Sequence, residues 1–394
     1  MNEASVGLRK PILIISNTSW YVFNFRQILI SELLRKGYGV TVAAPPDRYS
    51  ERLVELGCRY VPLPMDNQGT NPLADLLLLA RIWRLLRAER PLCVLSFTTK
   101  PNIYTALAAR TLGIVVATNI AGLGSVFVTD TWLTWLVSRL YRTALKGSFR
   151  VFFQNRDDLA YFLERRLIRK SAAVLLAGSG VDTRRFSPRL PDPARKTPFR
   201  FLLFGRLLFD KGVGEYVESA RRLKPKYPHV EFVLMGFLCV PNPSAIGREQ
   251  VDRWVAEGVI RFVEASDDVV PQIAEADCVV LPSYYREGTP RVLLEAASMG
   301  KPLIATDSVG CRDVVEQGVT GFLVEPRNAG DLARNMEKML QLPEAERRAM
   351  GVRGREKMLR EFDERIVIER YLQVLQEVEA AAGGARLAGV APLS

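Results

Sequence analysis

The sequence predicts an α/β protein of two successive doubly wound, Rossmann-like domains, and three observations carry that prediction. Short β-branched or aliphatic runs alternate with longer helical patterns almost throughout; the alternation stops at a proline-rich stretch and then restarts; and 394 residues are more than one ordinary core uses. The predicted division is a first domain over 1–185, a linker over 186–198, a second domain over 199–362, a C-terminal helix over 363–380 and a flexible tail over 381–394. Glycines at 383, 384 and 389 among small residues are the reason for the tail.

In the first domain the strand-like runs are 12–16, 40–44, 60–63, 93–97, 115–119, 150–154 and 173–176, separated by helical patterns over 25–36, 72–88, 102–112 and 131–146. Residues 187–198 carry four prolines and few apolar side chains, which suits a linker. Strand-like runs then return at 199–204, 230–235, 259–263, 277–281, 302–306 and 321–324, with helices over 213–224, 290–299 and 329–340. Ligands of doubly wound sheets bind outside the carboxyl ends of the strands, so two such domains facing one another are expected to enclose a deep cleft.

Composition narrows the partners. Residues 1–185 hold 25 Lys and Arg against 13 Asp and Glu, while the rest of the chain is close to neutral. An anionic partner is expected for the first half alone, although a solubilising charge excess produces the same count. The polar first ten residues and the short apolar run after them predict a cytoplasmic protein, and no segment has the roughly 18 apolar residues of a spanning helix. Two segments mix apolar and basic residues: Leu76 to Leu79, Ile82, Trp83, Leu85 and Leu86 with Arg81, Arg84 and Arg87, and Trp132, Trp135, Leu136, Leu140 and Tyr141 with Arg139, Arg142 and Lys146. Each pattern fits first a helix packed on a sheet, since amphipathic helices cover the sheets of every such fold, and alternatively a helix lying on a membrane surface. The five cysteines are widely spaced and have no His or Cys at ligand spacing, so neither a disulfide framework nor a zinc site is expected.

The chemistry concentrates between residues 283 and 306. A strand ending at Pro282 runs into Ser-Tyr-Tyr-Arg-Glu287-Gly288-Thr289-Pro290-Arg291-Val292, then a helix carrying Glu295. Gly288 lets backbone approach a ligand, and Pro290 suits the first helical turn, where its missing N–H costs nothing. Free amides and the helix dipole favour an anion there, and the two carboxylates accept from hydroxyls; phosphate plus polyol is what a nucleotide sugar presents. A second segment, Gly205-Arg206 followed by Lys211-Gly212, puts a guanidinium and an ammonium after the first strand of the second domain. The single histidine, His229, lies away from both segments and reads as structural, which removes histidine-based acid–base schemes.

These strings resemble the retaining glycosyltransferases of the GT-B fold that carry a Glu-x7-Glu motif. The resemblance rests on Gly205-Arg206, Lys211-Gly212, Glu287-Gly-Thr-Pro with Glu295, Ala276-Asp277, Gly300-Lys-Pro-Leu-Ile-Ala and Gly321-Phe-Leu-Val. It implies catalytic roles for Glu287, Arg206 and Lys211, with Arg206 and Lys211 on the donor diphosphate, Glu287 on the transferred sugar, Glu295 on the ribose, and Gly205, Gly288, Thr289, Pro290, Arg291 and Val292 around the donor. It implies no cofactor and no metal, since Arg, Lys and the helix terminus supply the positive charge. The sequence departs from the family at Glu264, where members often have glycine, and at Thr98-Thr-Lys100-Pro-Asn, where many have a histidine.

Asn24-Phe-Arg26, Thr98-Thr-Lys100, Gly122-Leu-Gly124 and Pro241-Asn-Pro are similar to a bacterial subgroup that adds N-acetylgalactosamine or a related hexose from a UDP-sugar to a saccharide on undecaprenyl diphosphate. On that resemblance Asn17, Thr18, Arg26, Lys100, Gly122 and Gly124 are candidates for the acceptor side. The expected partners are a nucleotide-sugar donor, a lipid-linked diphosphate acceptor and the cytoplasmic face of the inner membrane, without nucleic acid. A dinucleotide oxidoreductase is strongly disfavoured because no Gly-x-Gly-x-x-Gly follows either first strand. A sugar-nucleotide epimerase of the same fold, or a transferase acting on a soluble or another lipid acceptor, remains open.

Overall fold

Seven of the predicted strand runs assemble into one parallel sheet: β1 (Pro11–Ile15), β2 (Gly39–Ala44), β3 (Arg59–Pro62), β4 (Cys93–Phe97), β5 (Val116–Ile120), β6 (Arg150–Phe153) and β7 (Ala173–Leu175), in the order β3-β2-β1-β4-β5-β6-β7. The structure is a computed structural model that describes residues 10–66, 69, 71–123, 127, 132–189, 198–238 and 242–387. β1 and β4 are buried along nearly their whole length, as strands covered on both faces must be. The crossovers carry α1 (Ser19–Arg35), α2 (Ser50–Glu55), α3 (Pro72–Glu89), α4 (Thr99–Leu112), α5 (Trp132–Leu145) and α6 (Arg156–Glu164). α1 begins well before the predicted residue 25, because Thr18 Oγ1 caps it by accepting from the Tyr21 N–H at 3.0 Å. The aromatic run Trp20 to Phe25, of middling helix propensity, had hidden that start.

The second sheet is also parallel, in the order β10-β9-β8-β11-β12-β13, from β8 (Arg200–Arg206), β9 (Glu231–Phe237), β10 (Arg261–Glu264), β11 (Cys278–Leu281), β12 (Leu303–Thr306) and β13 (Gly321–Val324). Its helices are α7 (Val213–Leu223), α8 (Arg248–Ala256), α9 (Val270–Glu275), α10 (Arg291–Ser298), α11 (Cys311–Val314), α12 (Ala329–Gln341) and α13 (Glu344–Lys357), followed by α14 (Glu364–Leu387). Its core joins Phe201, Leu203, Phe232, Leu234 and Val280 of the strands to Tyr216, Leu332 and Met336 of the helices.

The chain divides into Met1–Ser179 with Arg365–Ser394, and Gly180–Glu364. Residues 180–185, predicted to end the first domain, belong to the second unit. Val181 bonds through its N–H to the Phe362 carbonyl at 2.9 Å, and Thr183 Oγ1 donates to Asp363 Oδ2 at 2.6 Å. α14 belongs to the first unit and runs on through Leu387, past the predicted start of a tail at 381. Val367, Ile368, Tyr371, Leu372, Val374, Leu375 and Val378 form one helical stripe in the first unit's core. Tyr371 also accepts from Asn119 Nδ2 at 2.7 Å. Each such side chain contributes roughly 1.5–3 kcal/mol of transfer free energy, so this helix is integral to the first domain.

Candidate active site

In the second sheet the strand order reverses at β8 and β11, and ligand crevices of doubly wound sheets form where neighbouring crossovers leave in opposite directions. The two predicted segments sit there. Gly205 and Arg206 close β8 itself, with Arg206 in register with Phe237 of β9, so the strand runs two residues beyond the predicted end at 204. Residues 282–290 form the loop after β11. Pro290 is the cap of α10, and the helix starts at Arg291; the extended Pro290 backbone (ψ 115°) keeps it out of the first turn, where the sequence had placed it.

Two glycines hold the β8 and β11 loops together. A Cβ on Gly212, whose φ is +74°, would lie 2.1 Å from the Pro282 carbonyl oxygen. One on Gly310, at φ +81°, would lie 2.2 Å from the Gly288 oxygen and 3.2 Å from that of Glu287. Only glycine fits either place, for backbone angle and for space. The carbonyl of Asp210 accepts the N–H groups of both Tyr284 and Tyr285 at 3.0 Å, which fixes the β11 loop against the β8 loop.

Within this frame Lys211 forms an ion pair with Glu287, and the two side chains are only 14% and 11% exposed. Ser283 Oγ lies 3.1 Å from Glu287 Oε1 and 3.3 Å from the Asp210 carbonyl, its two possible acceptors. Arg206 is exposed. Its guanidinium carbon stands 5.9 Å from the centre of the Tyr285 ring, and Lys211 Nζ stands 5.5 Å from the same ring. Both cations therefore stand beside the Tyr285 ring, a shared neighbour that no motif in the sequence gave them. Gly205 faces Val292, whose Cγ2 is 3.8 Å from where a Cβ would be.

Arg291 and Glu295 pair across one turn of α10 at 3.0 Å. Arg291, expected to face the donor, is thus partnered by the second glutamate. Burial pushes the Glu295 carboxyl above the ordinary carboxylate range, and Arg291 and Arg185 pull it back. Thr289 is buried in the loop ahead of the helix. Cations, two carboxylates and glycine-opened backbone at a switch point form a site able to grip an anionic, hydroxyl-rich ligand.

The first unit has its own reversal, at β1 and β4. Asn17 and Thr18 follow β1, Lys100 opens α4 after β4, and Gly122, at φ +106°, follows β5; Gly124 lies outside the described residues. Thr98, at the end of β4, has φ +72°, a strained value for a β-branched residue and of the kind that clusters at functional sites. Thr18 spends its hydroxyl on the α1 cap. Lys100 is not an open cation, since Nζ pairs with Asp75 at 2.7 Å and donates to the Gly69 carbonyl at 2.7 Å. Arg26 is buried, donates to the Tyr21 hydroxyl at 3.0 Å and stacks 4.6 Å over Phe97, while its Nε has no partner.

Residues 27–191 match the family described as glycosyl transferase 4-like domain, and residues 198–342 match the family described as glycosyl transferases group 1. The chain is 26% identical to the N,N'-diacetylbacillosaminyl-diphospho-undecaprenol alpha-1,3-N-acetylgalactosaminyltransferase of Campylobacter jejuni, across 92% of this chain and 98% of that relative. Its fold is that of a glycosyltransferase from Rickettsia africae, with a TM-score of 0.76 at 18% identity over 94% of this chain and 99% of that one. It is likewise that of Anabaena HepE solved with UDP, with a TM-score of 0.73 at 18% identity over 95% and 100%. The two domain matches, the pair of switch-point sites and the end-to-end similarity make this chain a GT-B glycosyltransferase, built from a glycosyl transferase 4-like domain and a group 1 domain.

Proposed function

We propose that the enzyme is a retaining hexosyltransferase that moves a hexose, N-acetylgalactosamine in the best reading, from a UDP-sugar to a polyprenyl-diphosphate-linked saccharide in bacterial glycan or O-antigen assembly. The carrying observation is the cluster of Arg206, Lys211 and Glu287 around Tyr285 at the second switch point. The cations supply the charge that the donor diphosphate needs as the bond to the sugar breaks, in place of a metal ion. Glu287, beside the helix start, accepts from the transferred sugar, and Glu295 accepts from the ribose. The acceptor class comes from the relative in Campylobacter, which is named for a diphospho-undecaprenol substrate and matches along its whole length.

A lipid-borne acceptor places the reaction at a membrane surface, the cytoplasmic face of the inner membrane in this reading. No described helix is long and apolar enough to cross a membrane, and the attachment proposed is peripheral. Exposed Leu73, Leu76 and Leu77 on α3, and Trp132, Trp135 and Leu136 on α5, support it. The test is UDP release by the purified protein with UDP-N-acetylgalactosamine, with and without a synthetic undecaprenyl-diphosphate saccharide. Release that requires the lipid-linked acceptor is expected. Interconversion of the UDP-sugar without any acceptor identifies an epimerase, and equal release with a water-soluble saccharide refutes the lipid-linked acceptor.

A further inference from the structure

The helix α5 and the end of α6 enclose a pocket of about 570 Å3 lined by Thr134, Trp135, Ser138, Arg139, Arg142 and Arg165, with Tyr161 and Leu167 completing it. Among the described residues, no acidic one lines it. Trp135, Arg139 and Arg142 recur at the spacing of one helical face, so a single stripe of α5 delivers an aromatic ring and two guanidinium groups to the same wall. The opposite wall comes from the way α6 stops. Arg166 adopts φ +53°, the left-handed turn that ends a helix, and this exposes the carbonyl of Arg165. Arg142 Nη2 donates to that carbonyl at 2.6 Å, which ties the two walls together.

The three arginines are exposed, yet each is held in place. The Arg165 guanidinium lies 4.0 Å over the Tyr161 ring and that of Arg139 5.0 Å over the Trp135 ring. An aromatic ring under a guanidinium restrains it, and restraint of this kind is the preorganisation that oxyanion binding by arginine needs. Three guanidinium groups lining one pocket repel one another, and an entering phosphate relieves that repulsion. Beside the pocket, Trp132 and Trp135 are 76% and 61% exposed. Large aromatic surface left in water next to stacked arginines matches a bilayer's boundary, where indole rings sit at headgroup depth and guanidinium groups meet lipid phosphates.

We propose that this pocket holds the phosphate of an anionic phospholipid headgroup and so anchors the first unit to the membrane, with Trp132 and Trp135 entering the interface around it. The proposal rests on the membrane-surface reading given above and adds the residues and the ligand to it. It involves no residue assigned to donor binding.

The experiment is cosedimentation of the full-length protein with vesicles of phosphatidylcholine alone or with phosphatidylglycerol added. The comparison is between the wild type, a variant with Arg139, Arg142 and Arg165 all changed to Gln, and a charge-matched variant with Arg35, Lys36 and Arg59 changed to Gln. Binding is expected only to the anionic vesicles, lost by roughly a hundredfold in the pocket variant, at about fivefold per basic residue, and largely kept in the charge-matched one. Since Arg142 ties two helices together, Arg139→Gln with Arg165→Gln is tested alongside and should lose roughly 25-fold with an unchanged melting temperature. Equal losses in the pocket and charge-matched variants overturn the proposal in favour of diffuse attraction. Stabilisation by millimolar inorganic phosphate without vesicle binding overturns it in favour of a soluble phosphate ligand. UDP release with detergent-dispersed lipid-linked acceptor separates the two readings: a pocket variant that keeps it while losing vesicles supports the anchor. A wild type that binds vesicles through the pocket but shows no such release refutes the acceptor assignment alone.

Discussion

Lys211 and Glu287 are ion-paired with each other, although the proposed function gives each its own part of the donor. With both side chains largely buried, the pair satisfies charges that would otherwise stand unpaired in a poorly solvated site. On the proposed roles, Lys211→Ala removes a contact to the diphosphate and also leaves a carboxylate where negative charge enters. UDP binding should fall in Lys211→Ala and recover in part when Glu287→Gln is added, with a coupling of about 1–2 kcal/mol, while turnover stays low in the double variant. Calorimetry with UDP on the wild type, both single variants and the double variant measures this. Additive losses would show that the pair is not shared in the bound state.

Arg206 should matter for turnover in spite of its exposure. It has no carboxylate partner among the described residues, and its position beside Tyr285 leaves it open to a ligand. Arg206→Ala should lower UDP release at least a hundredfold with little change in melting temperature, since removing an exposed side chain costs little in the fold. Near-normal release would remove it from the diphosphate clamp.

Gly310→Ala tests whether the β11 loop must hold its place. The new Cβ would press on the Gly288 and Glu287 carbonyls, at 2.2 and 3.2 Å, and the loop carrying Glu287 would have to shift. A displacement of this order should cost about a hundredfold in kcat. Gly318→Ala is the control, because Gly318 shares a positive φ (+72°) but has open space around it. It should cost stability alone, about 1–2 kcal/mol, and retain activity. Matching activity losses in the two variants would mean that backbone strain and not loop position is responsible.

Leu375→Ala probes the return of α14 to the first unit. Leu375 is fully buried, and the loss should be about 2–5 kcal/mol. The rise in melting temperature caused by UDP should persist, because the proposed donor residues all lie in the other unit. Loss of that rise would tie the helix to donor binding.

The strands were legible because parallel sheets buried on both faces leave near-continuous apolar runs, and all thirteen runs became strands within a residue or two of their predicted ends. What the sequence left out was tertiary. The apolar stripe of α14 announces a helix but not which core receives it, and short helices such as Ser50–Glu55 and Val270–Glu275 hold too few turns to show a period. At the site, glycines, cations and carboxylates marked the two loops. Pairing could not be read, since Lys211 and Glu287 lie 76 positions apart and Lys100 and Asp75 lie 25 apart. Tyr285 is invisible to a motif because an aromatic residue after a strand is far more often packing.

The two glutamates of α10 and its preceding loop should respond differently to substitution, and pH supplies an independent reading of the second. Burial raises the Glu295 carboxyl above its ordinary value, so the folded chain binds that proton at a pH where the unfolded chain has released it. Unfolding free energy should then fall with rising pH through the window from the unfolded value near 4.5 up to the raised folded one, and this group's effect should be level above it. Glu295→Gln removes that slope while keeping an acceptor for Arg291, so the ligand-free variant at neutral pH should lie within about 1 kcal/mol of the wild type or above it. Its donor KM should nonetheless rise about tenfold, since a ribose hydroxyl loses a charged acceptor. Glu287→Gln should instead lower kcat more than it raises KM, because the sugar it serves changes charge during the reaction and the ribose does not. The measurements are donor KM and kcat for both variants, the rise in melting temperature with UDP, and the difference in unfolding free energy between wild type and Glu295→Gln from pH 4 to 8. A Glu295→Gln enzyme that loses stability at neutral pH while keeping normal donor KM and the full UDP-induced rise would show that this carboxylate serves only Arg291 and the helix, and that the ribose is held elsewhere.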